Sequence, residues 1–152
     1  MFLIISFIKG ITFSFQSLAD EKDIRLEIHS DIDSRLMDFD RDKLEKIMYN
    51  LLSNAIKYRS DERPLKVKIS TKKSDKHIIL SVEDNGLGMS KYHQKKLFSM
   101  FKRFHTHVDG TGIGLYIVKR IIENKKGKIE VESEEGKGTT FRIYFDTSRS
   151  LK

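Results

Sequence analysis

Asn50, Asn54, Lys57 and Tyr58 put two side-chain amides, an ammonium and a phenol into nine residues that read as helix. At about 100° per residue, positions 50, 54 and 57 share one face and Tyr58 lies at its edge. Asn is a poor helix former, costing about 0.5 kcal/mol relative to Ala, so two within one helix are mildly costly. Such a face offers amide oxygens to a hard cation and an ammonium to phosphate, or else is an ordinary polar surface. A second candidate, Asp84-Asn85-Gly86-Leu87-Gly88, directly follows an apolar stretch. A carboxylate at a strand end accepts hydrogen bonds from an exocyclic amine, and glycines permit a planar ring to approach. The same residues also make a good turn.

Two further glycine clusters carry possible anion chemistry. Gly110-Thr111-Gly112-Ile113-Gly114-Leu115 opens a predicted helix, where exposed amides and the positive helix end favour phosphate. No Gly-Lys-Ser/Thr follows it and no apolar strand directly precedes it, which sets it apart from a Walker loop and from a dinucleotide turn. Gly136-Lys137-Gly138-Thr139-Thr140 lies between two predicted strands and, taken alone, reads as a hairpin turn. His105 and His107 are too sparse for a zinc site, since no further ligand accompanies their i,i+2 spacing.

The elements that must position these residues follow from periodicity. Ile8, Ile11, Phe15 and Leu18 predict a helix from about Phe7 to Asp20, and Ile24, Leu26 and Ile28 alternate as a half-buried strand. Asp40 or Asp42 caps the next helix, with Asp42 and Glu45 at capping-box spacing. Its stripe of Leu44, Ile47, Met48, Leu51, Leu52 and Ala55 faces a core. Arg63-Pro64 interrupts helicity. Two strands follow, on Leu65, Val67, Ile69 and on Ile78, Leu80, Val82, joined through Ser74-Asp75. A helix is expected around Lys91 to Phe104, and another carries Leu115, Val118, Ile121 and Ile122. The chain then reads strand, turn, strand, on Ile129 and Val131 and on Phe141, Ile143 and Phe145. The expected fold is α+β: a two-layer α/β sandwich, with a mixed, mostly antiparallel sheet and helices packed on one face.

Composition narrows the chemistry. The chain has 152 residues, 29 Lys+Arg against 22 Asp+Glu, a net charge of +7 and no Cys. That length suits one domain. Without Cys there are no disulfides, thiolate catalysis or Cys-ligated zinc, which suits a reducing compartment. The apolar opening Met1–Ile8 falls well short of the roughly 20 residues of a spanning helix and lacks signal-peptide features. The positive charge admits polyanions, nucleotides among them, but the basic residues are scattered among acids, which argues against nucleic acid.

The four candidates lie in order across about 90 residues, a span set by Asn50 and Thr140. In that order the chain resembles the catalytic ATP-binding domain of bacterial sensor histidine kinases, the Bergerat-type ATPase fold shared with gyrase, a heat-shock chaperone and MutL. Asn50 to Tyr58 is similar to the family's N box, Asp84 to Gly88 to its G1 box, and Leu97 to Phe104 to its F box. Gly110 to Leu115 is similar to the G2 box and Gly136 to Phe141 to the final Gly-Thr box.

The resemblance implies ATP and Mg²⁺ as cofactors. It implies Asn54 as a Mg²⁺ ligand, with Asn50 beside the metal and phosphates, Lys57 on phosphate and Tyr58 near adenine; Asn50 and Lys57 become the candidate catalytic residues. Asp84 would accept the adenine amino hydrogen, Gly86 and Gly88 would admit the ring, and Thr140 would support that end. Gly112 and Gly114 would present amides to the phosphates, with Gly110, Thr111 and Leu115 completing the segment. Met89 to Thr111 would form a mobile lid, with Phe98, Phe101 and Phe104 as lid anchors, partner contacts or core. Two departures stand out: Asp109-Gly110 where the family often has paired glycines, and Lys126-Gly127 likewise, where only a local backbone effect is expected.

In hydrolysing relatives a Glu at the position of Asn50 activates water. An amide takes no proton, whereas a neutral imidazole acceptor brings its own lone pair, so the resemblance favours a kinase over an ATPase. His29, His77, His93, His105 and His107 all lie outside the family's phosphoacceptor motif. The expectation is one catalytic domain over residues 1–152 (core 7–146, lid 89–111) that is cytoplasmic and makes no membrane contact itself. It would act on a histidine of a separate dimerisation domain, upstream of a response-regulator receiver. A serine kinase of the anti-sigma-factor type and an ATP-gated binding module are the alternatives.

Overall fold

The computed structural model describes residues 2–30, 36–37, 39–74, 76–98 and 113–146. The apolar opening is a short strand, β1 (Phe2–Leu3), followed by helix α1 (Ile4–Ser14), which buries Ile4, Ile5, Ile8 and Ile11. The expected helix over 7–20 thus starts earlier, and it breaks at Phe15 before α2 (Gln16–Lys22). The break has a local cause. Thr12 Oγ1 donates to Ile8 O at 2.8 Å and Ser14 Oγ to Ile11 O at 2.6 Å, and such hydroxyl back-bonding competes with the helix ladder.

β2 (Arg25–Ser30) follows, then β3 (Leu36–Met37), which pairs antiparallel with β1. Helix α3 (Arg41–Lys57) is capped by Asp40, whose Oδ1 accepts from Asp42 N at 2.9 Å and Lys43 N at 3.3 Å. Of the two predicted caps, Asp40 therefore fills the role. All six residues of the predicted stripe on α3 are buried. β4 (Lys66–Ser74) and β5 (His77–Asp84) form the expected antiparallel pair. Helix α4 spans Lys91–Lys96, with Leu97 buried just beyond it, and residues 99–112 lie outside the described set.

Helix α5 (Ile113–Asn124) ends in a Schellman turn: Gly127 N donates to Ile122 O at 2.9 Å and Lys126 N to Glu123 O at 3.0 Å. Lys126 takes φ 63°, the left-handed conformation that glycine adopts without cost. β6 (Lys128–Glu134) and β7 (Gly138–Asp146) close the chain as an antiparallel hairpin.

The main sheet has the order β2-β4-β5-β7-β6, with β2 parallel to β4 and every other pair antiparallel. The parallel pair requires a long crossover, and α3 supplies it. Val67 and Ile69, Ile78, Leu80 and Val82, and Phe141, Ile143 and Phe145 form one apolar face, buried in a single core with α1, α3 and α5. The strand parity that buries these residues also sets the site. Asp84 and Thr139 lie beyond Val82 and Phe141 on that same helix-facing side, opposite each other in register. Among the described residues no helix is long and apolar enough to cross a membrane.

Candidate functional site

Asp84 ends β5 where the sheet leaves the core. Its Oδ1 accepts from Gly86 N at 2.9 Å and from Thr139 N at 3.3 Å, so neither bond engages Oδ2. Burial pushes its carboxyl above the usual carboxylate range, the two backbone donors work against that shift, and the charge of Glu83 adds to it. A partly buried carboxylate, oriented through one oxygen, can offer the other to a ligand N–H.

The loop after Asp84 is fastened on three sides. Asn85 extends the β4–β5 ladder with its side chain, accepting from Lys66 N at 2.9 Å and donating to Pro64 O at 3.2 Å. Leu87 N donates to Tyr58 O, the carbonyl that ends α3, at 2.9 Å. Gly136 N, in the β6–β7 turn, donates to Leu87 O at 2.7 Å. The glycines permit this packing. A Cβ on Gly86 would lie 2.6 Å from Tyr58 O and 3.0 Å from Asp84 Oδ1, and one on Gly88 (φ +72°) would strike the Glu134 carbonyl.

The amide face of α3 meets this loop at one end and α5 in the middle. Asn50 and Asn54 are half-buried and Lys57 is exposed; Tyr58, also half-buried, has its phenol pushed up by burial. Asn50 Nδ2 donates to Lys46 O at 2.7 Å, so the Asn50 amide oxygen must point the other way. It points to the first turn of α5, where a Cβ on Gly114 would run into it. The loop therefore docks at Tyr58 and the α5 N-terminus at Asn50, about 12 Å apart along the helix at 1.5 Å per residue.

Sequence reasoning and structure part company at Thr140. Thr140 pairs with Glu83 on the outer side of the sheet; Thr139 is the residue that meets Asp84. The Thr139 signal was available, because strand alternation from Phe141 places 139, not 140, on the core side. The Leu115 side chain is buried in the core. Gly110, Thr111 and Gly112 lie outside the described residues, as do Phe101 and Phe104 and most of the expected lid. Phe98 packs against the core, and the Lys119 ammonium lies 5.5 Å from its ring centroid.

Sequence reasoning missed Ser133, which ties Met89 to the strand end beside Asp84. Its hydroxyl accepts from Met89 N at 2.8 Å, donates to Gly138 O at 2.9 Å and lies 2.8 Å from Thr139 Oγ1. Gln94 Nε2 donates to Met89 O and Ser133 O, both at 3.0 Å. Neither residue carries a signal in the sequence beyond being polar.

A helix bearing amides, a carboxylate at a strand end and a helix N-terminus are thus gathered on one side of a mixed sheet. Residues 39–149 match the family described as histidine kinase-, DNA gyrase B- and HSP90-like ATPase, and the chain belongs to that family. It is 35% identical over 96% of its length to histidine kinase P4 of Formosa agariphila, of which it spans 11%. It superposes on the catalytic domain of histidine kinase ThkA with a TM-score of 0.84 and 27% identity, over 95% of this chain and 93% of that one. Full-length ShkA, solved in complex with AMPPNP, is similar with a TM-score of 0.79 and 26% identity, over 93% of this chain and 29% of that one. The chain is thus an ATP-binding catalytic domain of the histidine-kinase type that spans a small part of its curated relative.

Proposed function

We propose that this domain binds Mg²⁺-ATP along α3 and transfers the γ-phosphoryl group to a histidine on a separate dimerisation domain, from which a response-regulator receiver is phosphorylated in the cytoplasm. One observation carries the reading: the Asp84 loop and the α5 N-terminus dock on the same helix, at Tyr58 and at Asn50. The base end belongs to Asp84, whose oriented carboxylate accepts from an exocyclic amine. The phosphate end belongs to Asn50, Asn54, Lys57 and the first turn of α5, with its positive helix end.

The donor set fits Mg²⁺. This small hard cation takes few protein oxygens and relies on phosphate oxygens and water. The amide oxygens of Asn54 and Asn50 are of that kind, and among the described residues no cluster of three acidic, His or Cys side chains competes for a metal. Bound Mg²⁺ would neutralise charge on the phosphates as the terminal P–O bond breaks. Asn50, an amide held by Lys46 O, has no basic lone pair for a proton, so water is not activated at this position. An imidazole nitrogen needs no base: its lone pair forms the N–P bond while ADP leaves with the electrons of the broken P–O bond.

A thermal titration with ATP, ADP and GTP, with and without Mg²⁺, tests the binding step. Ligand at 100 times its Kd adds about 2.7 kcal/mol to stability, or about 5–10 °C at 2–4 °C per kcal/mol. Incubation with γ-labelled ATP and the dimerisation domain of a sensor kinase tests transfer: acid-labile phosphate on that domain is the expected result. Binding without transfer to any supplied histidine or serine domain would leave a nucleotide-gated docking module instead.

A further inference from the structure

Arg63 lies in the link between α3 and β4, outside every segment that resembles a family box. Its guanidinium nevertheless spans the two loops that frame Asp84. Nε donates to Asn85 O at 2.7 Å, and Nη2 donates to Gly86 O and to Gly136 O, both at 2.8 Å. No carboxylate among the described residues forms an ion pair with it. A guanidinium is a rigid planar fork of donors, so three carbonyls held by one fork are held relative to one another.

Those carbonyls are well placed to fix the Asp84 carboxylate. Oδ1 is oriented by Gly86 N–H on one side and Thr139 N–H on the other. Arg63 grips the residue that supplies the first donor and the turn, at Gly136, that leads into the strand supplying the second. We propose that Arg63 is a positioning residue, acting through both loops to set the free oxygen of Asp84 for the amino group of adenine and against the carbonyl that guanine presents at the equivalent place. This inference rests on the nucleotide reading above.

The test measures ATP and GTP affinity of the full chain, wild type, Arg63→Ala and Asp84→Asn, by titration calorimetry. Arg63→Ala is expected to weaken ATP about tenfold, the order of one lost charge-assisted hydrogen bond, while GTP changes little. The ATP:GTP preference therefore falls by the same factor. A residue that merely kept the loops folded would weaken both nucleotides together. Free guanidinium at sub-denaturing concentration should restore ATP affinity to Arg63→Ala and leave wild type unchanged. Should Arg63→Ala fail to fold, Arg63→Gln and Arg63→Lys carry the same selectivity measurement, because neither side chain reproduces the fork.

An ATP:GTP ratio equal to that of wild type in a folded Arg63 variant overturns the inference, provided that Asp84→Asn abolishes the preference. A wild type that binds no adenine nucleotide overturns the functional reading, and this inference with it.

Discussion

Gly86→Ala probes the contact between the Asp84 loop and the end of α3. The added methyl would lie 2.6 Å from Tyr58 O and 3.0 Å from Asp84 Oδ1, whereas relaxed carbon–oxygen contacts are longer, so the loop must retreat from the helix. One contact is to backbone, which cannot swing aside as a flexible side chain would. The retreat strains Leu87 N to Tyr58 O and Gly86 N to Asp84 Oδ1, both 2.9 Å, each bond being worth about 1 kcal/mol. With an overpacking term of about 1–3 kcal/mol, the total loss is about 2–4 kcal/mol, allowing for partial relaxation. For a domain of this size that is a fall in Tm of about 5–15 °C. Differential scanning calorimetry measures it, and ATP titration should show affinity falling at least about tenfold, because the carboxylate moves with its loop. A Gly86→Ala protein with wild-type Tm and wild-type ATP affinity would refute the docking argument.

Asp84→Asn separates binding from stability. Burial raises the Asp84 carboxyl, so its stabilising contribution is present at low pH and lost as pH rises through the raised native value; near neutrality the buried charge is a burden. Asn keeps an oxygen for Gly86 N and Thr139 N, so ligand-free Tm at pH 7 should equal or exceed wild type, the gap closing on acidification, while the response to ATP disappears. Asn54→Ala should leave ligand-free Tm nearly unchanged and remove most of the Mg²⁺ dependence of ATP affinity, read by calorimetry with and without chelator. Asp40→Ala removes the α3 cap and should cost about 1 kcal/mol in urea unfolding. Lys126→Gly relieves a left-handed backbone and should add up to about 1 kcal/mol.

The sequence announced the elements wherever one physical signal dominated. On α3 the 3.6-residue period, an acidic cap at Asp40 or Asp42 and the polar face all agreed, and the structure has that helix with its stripe buried and Asp40 as the cap. The β4–β5 and β6–β7 pairs were equally plain from alternation and short turns. Legibility failed where the deciding interaction was a side-chain bond to backbone. The break at Phe15 follows from two hydroxyls bonding to carbonyls, which apolar spacing alone hides. β1 and β3 are two residues each, too short for any period. The roles of Ser133, Gln94 and Arg63 come from carbonyls brought together across the fold, 39 residues apart for Gln94 and Ser133 and 73 for Arg63 and Gly136.

The same logic explains Thr139 and the glycines. Family likeness drew attention to Thr140, yet strand parity, fixed by Phe141 in the core, had already assigned the inner place to Thr139. At Gly86, Gly88 and Gly114 the place a Cβ would take is filled by Tyr58, Glu134 and Asn50. Glycine here lets the Asp84 loop and the first turn of α5 approach α3 closely.

The most direct measurement of that convergence is a ¹H–¹⁵N titration of the labelled domain with Mg²⁺-ATP, following the side-chain amides of Asn50 and Asn54 together with the backbone amides of Gly86 and Thr139. One nucleotide gripped at both ends predicts that both sets shift and saturate with the same midpoint, and that adenosine alone moves only the Gly86 and Thr139 signals. Two sets that saturate at different concentrations, or an ATP response confined to one of them, would contradict it.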